Sequence, residues 1–158
     1  MVIKEREAIT IIKKNIYMTI STCDKSNPWI SPVSFAYDSD YNLYWASEKS
    51  AKHSKLIKKN SNVAIVIFDS STPEGVGNGV YIVGKAAEIR GKELPDAVKI
   101  LCSRKKKDSE YSKFQSTEDF TGNSPWRMYK IIPKKFWTLK DGTNIRGYPV
   151  DRRVEVKL

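Results

Sequence analysis

The chain has 158 residues, 28 Lys and Arg against 18 Asp and Glu, a net charge of +10, and 40% hydrophobic residues. That is the size of one domain, 1–158, with a real core, and it excludes a disordered or fibrous polypeptide. The longest apolar run, residues 63–68, is too short to cross a bilayer, no apolar leader is visible, and Cys23 and Cys102 have no C-x-x-C partner, which together predict a reduced, cytoplasmic protein.

Residues up to 14 have the spacing of an amphipathic helix with Ala8, Ile9, Ile11 and Ile12 inward, ended near Asn15 and expected to cap a sheet. Alternation over 16–22 predicts a strand, Asp24-Lys25-Ser26-Asn27-Pro28 a turn, and 29–37 a second strand with Val33, Phe35 and Tyr37 on one face. Pro32 has no N–H to give to a ladder, so this strand has an edge or a broken pairing near its start. The turn Asp38-Ser39-Asp40 leads to a third, aromatic strand around Leu43 and Trp45.

Ser47 and Ser50 then stand at a helix entry, where their hydroxyls can accept from orphan backbone N–H groups. The helix is expected to run to about Asn60, a residue able to take the left-handed conformation that closes helices, and 63–68 reads as a buried strand. The charge at this helix start is unusual. A helix N-terminus carries partial positive charge and favours acids, yet after Glu48 come Lys49, Lys52 and the single histidine, His53. Free N–H groups, serine hydroxyls and cations converging there make a phosphate site, whereas the plain alternative is a solvated lysine-rich face.

Residues 69–79 form a loop containing Gly75, Gly77 and Gly79; because these glycines open a strand, 80–89, and not a helix, they are no dinucleotide loop. Pro95 starts a helix to about Cys102 with Leu94, Ala97, Val98 and Leu101 inward. The polar segment 103–123 is a lid or an open loop, 126–132 and 135–139 are strands broken at Pro133, Asp141-Gly142 is a turn, and 152–158 alternates as a last strand. Many short strands with few helices predict a mainly β protein, a closed or split antiparallel barrel.

What is missing narrows the chemistry. One histidine and two distant cysteines are too few ligands for a standard zinc site, and neither a G-x-S-x-G elbow nor a Walker loop occurs. A reactive group, if there is one, is therefore borrowed from a cofactor.

The succession of the N-terminal helix, MTISTCDKSNPWISPVSFAYD, LYWASEKSAKHSKLI, NSNVAIVIF, GVYIVGKAAEI, WRMYKIIPKKFWTL and RRVEVKL resembles the FMN-binding split-barrel family typified by pyridoxamine 5′-phosphate oxidase, over nearly the whole chain. That resemblance implies a homodimer of split barrels holding FMN in two intersubunit clefts. It places Trp45, Ala46, Ser47, Ser50, Lys52 and His53 at the ribityl chain and phosphate, and Ser31, Pro32, Val33 and Ser34 along the ring edge. Trp137 resembles the tryptophan that covers the flavin from the partner chain, and Trp126 and Arg127 lie nearby, with barrel core the plainer reading for Trp126.

Ser31 and Ala36 stand where the oxidase itself has an arginine and a lysine, and Asn144-Ile145-Arg146-Gly147 replaces its Arg-Leu-His substrate motif. The resemblance therefore implies an FMN-dependent oxidoreductase of the family other than the oxidase, with a deazaflavin such as F420 as the alternative cofactor and a flavin carrier or sensor as the alternative role. Excess positive charge leaves one further class, a small-barrel nucleic-acid binder, although no reader motif accompanies it.

Overall fold

The computed structural model describes residues 3–104, 114–140, 144–146 and 148–158. In chain order these form α1 (Ile3–Lys14), β1 (Tyr17–Asp24), β2 (Asn27–Ser34), β3 (Ala36–Tyr37), β4 (Leu43–Glu48), α2 (Lys52–Lys59), β5 (Asn62–Phe68), β6 (Gly79–Glu88), α3 (Leu94–Ser103), β7 (Trp126–Leu139), β8 (Asn144–Ile145), β9 (Tyr148–Pro149) and β10 (Arg153–Val156).

Eight strands make one antiparallel sheet in the order β2-β1-β5-β6-β7-β4-β3, with β10 added to β7. The sheet curls into a split barrel with three short helices around it. β2, which carries Pro32, pairs only with β1, so the proline sits on an edge strand as its missing N–H requires.

Period-two burial explains the curl. On β1, Met18, Ile20 and Thr22 point inward, as do Val63, Ile65 and Ile67 on β5 and Val80 and Ile82 on β6. Ala8 and Ile12 of α1, both fully buried, close one opening of the barrel. A second apolar cluster joins Leu94, Ala97, Val98 and Leu101 of α3 to Ala36, Tyr44 and Met128, outside the barrel. Each fully buried Leu, Ile or Val contributes about 1.5–3 kcal/mol, so the two clusters account for most of the fold's stabilisation.

Three expectations are corrected. The second strand is interrupted at Phe35, whose N–H bonds the Ile16 carbonyl at 3.1 Å, so β3 swings over to β4. Asn60 closes α2 in an extended conformation, φ −143°, and not a left-handed one. A short antiparallel pair, Asn144–Ile145 with Tyr148–Pro149, is an addition that the sequence did not announce.

The third is the break at Pro133, which does not occur: β7 is one strand of 14 residues. β4 pairs with it as far as Ile131 and β10 only from Phe136, so the proline falls where one side has no neighbour. On the other side the register with β6 shifts between Val83 and Gly84. A Cβ at Gly84 would stand 2.5 Å from the Ile132 carbonyl, so only glycine fits this crossing. The expected turn at 141–142 and part of the 103–123 segment lie outside the described residues. Within the latter, Thr117–Phe120 is a 3-10 turn opened by a reciprocal Ser116 and Asp119 capping box.

Candidate functional site

β2 and β4 are not neighbours in the sheet. They lie near its two ends, and the curl brings them face to face across a seam. At the far end of β4 the chain turns at residues 49–51 into α2, so that α2 starts beside β2.

His53 bridges the seam. Its Nε2 lies 2.7 Å from Ser47 Oγ on β4 and its Nδ1 3.2 Å from Ser31 Oγ on β2. Ser31 Oγ also accepts from the Trp29 indole Nε1–H at 3.1 Å. The ring is 8% exposed, and burial holds its pKa below the ordinary histidine value, so it is neutral near pH 7.

Beside this bridge is a cleft of about 230 Å³ lined by Tyr17, Pro32, Val33, Ser34, Ala46, Ser47, Glu48, Ala51, His53 and Trp126. Its walls are mixed. Pro32, Val33, Ala46 and Trp126 give apolar surface, while Ser34, Ser47 and His53 give hydrogen-bonding groups.

The start of α2 borders the same cleft. No side chain caps the helix, no acid stands in its first turn, and the first backbone bond closing a helical turn runs from Lys55 N–H to the Ala51 carbonyl at 3.0 Å. The N–H groups of residues 52–54 precede that ladder and suit an acceptor.

The expected site residues divide. Ser31, Pro32, Val33, Ser34, Ala46, Ser47 and His53 gather at the seam and its cleft. Ser47 does not cap the helix as expected, because its hydroxyl is engaged with the His53 ring. Ser50 is exposed and donates to Glu48 Oε2 at 3.1 Å, and it does not cap the helix by accepting from a backbone N–H. Lys52 places its Nζ 4.0 Å from the centre of the exposed Trp29 ring, so its charge sits at the rim.

Trp45 is fully buried and stacks on Tyr129 at 5.1 Å, in the core and away from the cleft. Trp137 lies on β7 opposite Tyr81 and Glu155, remote from this chain's own cleft. Arg127 turns away too, donating to the carbonyls of Ser124, Trp126 and Gly122. Tyr17, Glu48 and Ala51 line the cleft without having been picked out by the sequence reading; the β1–β2 register, Tyr17 opposite Ser34, is the signal that places Tyr17 there.

A larger groove, about 820 Å³, runs along the 69–79 loop. Glu7, Asp69, Glu74 and Asp151 line it, and that charge is wrong for a phosphate. Among the described residues no group of three His, Cys, Asp or Glu is placed to hold a metal, and no helix is long and apolar enough to cross a membrane.

Comparison with known proteins agrees with this architecture. HutZ, the haem storage protein from Vibrio cholerae, superposes with a TM-score of 0.67 at 12% identity, covering 82% of this chain and 89% of that one. A NimC/NimA family protein from Clostridium acetobutylicum gives 0.63 at 13% identity, covering 97% and 92%. The protein Atu2129 from Agrobacterium tumefaciens gives 0.65 at 13% identity and 81% coverage, and the present chain spans only 52% of its length. At these identities the likeness is one of fold. Among curated proteins none is similar enough in sequence to match. The profile described as pyridoxamine 5′-phosphate oxidase matches residues 5–138, most of the chain, and so the chain belongs to the pyridoxamine 5′-phosphate oxidase family.

Proposed function

We propose that this protein binds FMN in the seam cleft as a homodimer and acts as an FMN-dependent oxidoreductase on a small organic substrate. The observation that carries this reading is the meeting of an uncapped helix start with a half-apolar, half-hydroxyl cleft at the barrel seam. Such a donor set suits a ligand with a flat ring at one end and a phosphate at the other. The amides of residues 52–54 and Lys52 serve the phosphate, Ser34 and Ser47 the polar chain, and Pro32, Val33 and Ala46 the ring. FMN held there would supply a hydride acceptor for a reduced nicotinamide or small organic donor, and the protein would contribute position, electrostatics and exclusion of water.

Two features support the dimer. The cleft falls short of the roughly 300–1,000 Å³ of sites that enclose a cofactor-sized ligand, so one chain covers FMN only in part. Next to it the outer sheet face carries Tyr17, Val66, Phe68, Tyr81 and Val83, the first of them 61% exposed and also lining the cleft. Pairing that face with its copy puts Trp137, opposite Tyr81 in the register, within the shared interface. Haem suits the chain less well, since the single histidine has both ring nitrogens in hydrogen bonds.

An absorbance spectrum of the purified protein, followed by FMN titration with flavin fluorescence as readout, tests the reading. Saturable binding at one FMN per chain is expected. No binding of FMN, with saturable binding of F420, moves the assignment to a deazaflavin, and binding of neither overturns it. Binding without oxidation of any reduced nicotinamide leaves a flavin carrier.

A further inference from the structure

The hydrogen-bonded series Trp29, Ser31, His53, Ser47 crosses the seam, and its protons can be ordered from one end. Trp29 Nε1–H is a donor only, so Ser31 Oγ must accept it at 3.1 Å. A hydroxyl that accepts becomes a stronger donor, and the His53 Nδ1 lone pair lies 3.2 Å away to receive its proton. Were Nδ1 protonated, Ser31 Oγ would face two donors and its own proton would have to find another acceptor.

We propose that Ser31 and Trp29 hold His53 as the Nε2–H tautomer, which donates to Ser47 Oγ and leaves the Ser47 hydroxyl proton to be given to a ligand acceptor in the cleft. Ser47 lines the cleft, and the 2.7 Å contact to Nε2 uses one of its lone pairs, so its O–H is what remains to present. In the opposite tautomer Ser47 would donate to the ring and show the cleft only lone pairs, which repel a carbonyl or phosphate oxygen. The series thus selects for ligand atoms that accept. Ser31 and Trp29 are positioning residues, acting through His53 at the opposite side of the seam from Ser47. Selection of a flavin acceptor atom rests on the FMN reading above; the tautomer does not.

Because the chain has one histidine, the test is unambiguous. Two-dimensional 15N–1H spectra of the imidazole in labelled protein without flavin are expected to show a protonated Nε2 and an accepting Nδ1. Ser31→Ala is expected to shift the ring to a tautomer mixture, and Ser31→Thr, which keeps the hydroxyl, to restore the single form. A protonated Nδ1 in the unaltered protein, or an unchanged tautomer in Ser31→Ala, overturns the proposal even if FMN binds. If FMN does not bind, the ring spectra still decide it. With FMN binding established, Ser31→Ala is expected to weaken affinity about fivefold while Ser31→Thr stays within about twofold.

Discussion

Arg104 and His53 each join segments far apart in the sequence, but with opposite chemistry. The Arg104 guanidinium, at the end of α3, donates to the carbonyls of Ile12, Lys13 and Asn15 at the close of α1 and of Phe35 between β2 and β3. It also lies 4.5 and 4.6 Å from the centres of the Phe35 and Tyr37 rings. Both terminal nitrogens of the guanidinium point inward at backbone carbonyls, with two ring faces beside them. Burial holds His53 neutral, and of its two hydroxyl partners Ser47 keeps a proton to spare on the proposed tautomer. One joint spends a cation on backbone carbonyls, and the other, where the proposed ligand would sit, keeps hydrogen-bonding capacity in reserve.

If the contrast is sound, Arg104→Ala is the more damaging change to stability. It leaves three carbonyls at the end of α1 and one beside β2 without their charged donor, and should cost about 2–4 kcal/mol in urea unfolding. FMN affinity per folded molecule should stay within about twofold. An affinity loss as large as the seam variants show would collapse the distinction between the two joints.

Lys52→Ala with His53→Ala reverses the pattern. At least about a tenfold loss of FMN affinity is expected, with a stability cost smaller than that of Arg104→Ala. Unchanged affinity in flavin titrations would remove both side chains from the site.

A pH series sharpens the comparison. Burial lowers the folded-state pKa of His53, so between that value and the ordinary one near 6.5 the unfolded chain binds the extra proton. Stability from the neutral ring is therefore complete above pH 6.5 and is lost as pH falls toward and through the depressed value. Thermal melts from pH 7.5 to 5.5 should show this decline in the parent protein and a shallower one in His53→Gln; identical slopes would contradict a buried neutral ring. The smallest effect is expected from Ser50→Ala, whose exposed hydroxyl reaches only Glu48: under about 0.5 kcal/mol in stability and no measurable change in FMN titration.

The order of elements was largely legible, because period-two burial on β1, β5 and β6 and the inward stripe of α3 leave plain traces in sequence. What was not legible depends on neighbours. Pro133 reads as a strand breaker locally, yet sits harmlessly where β7 passes from β4 to β10. Family resemblance put Trp45 at the cleft, yet although it shares a face of β4 with Ser47, it lies two residues further from the helix entry and stacks on Tyr129 in the core. Ser47 and His53 were placed together at the helix entry by the residues themselves, and only family resemblance set Ser31 beside them. Their mutual bonding follows from the closing of the sheet, which no local pattern encodes.

That same passing of β7 from one partner to another bears on how the protein is made. β4, with Leu43 and Trp45, has no partner except the two-residue β3 until 126–139 has left the ribosome. Until then its edge is open and the seam cannot form, while β1, β2, β5 and β6 can already pair among themselves. The seam cleft is thus among the last features to arise during translation, and any ligand bound there would stabilise the finished barrel without templating its early assembly.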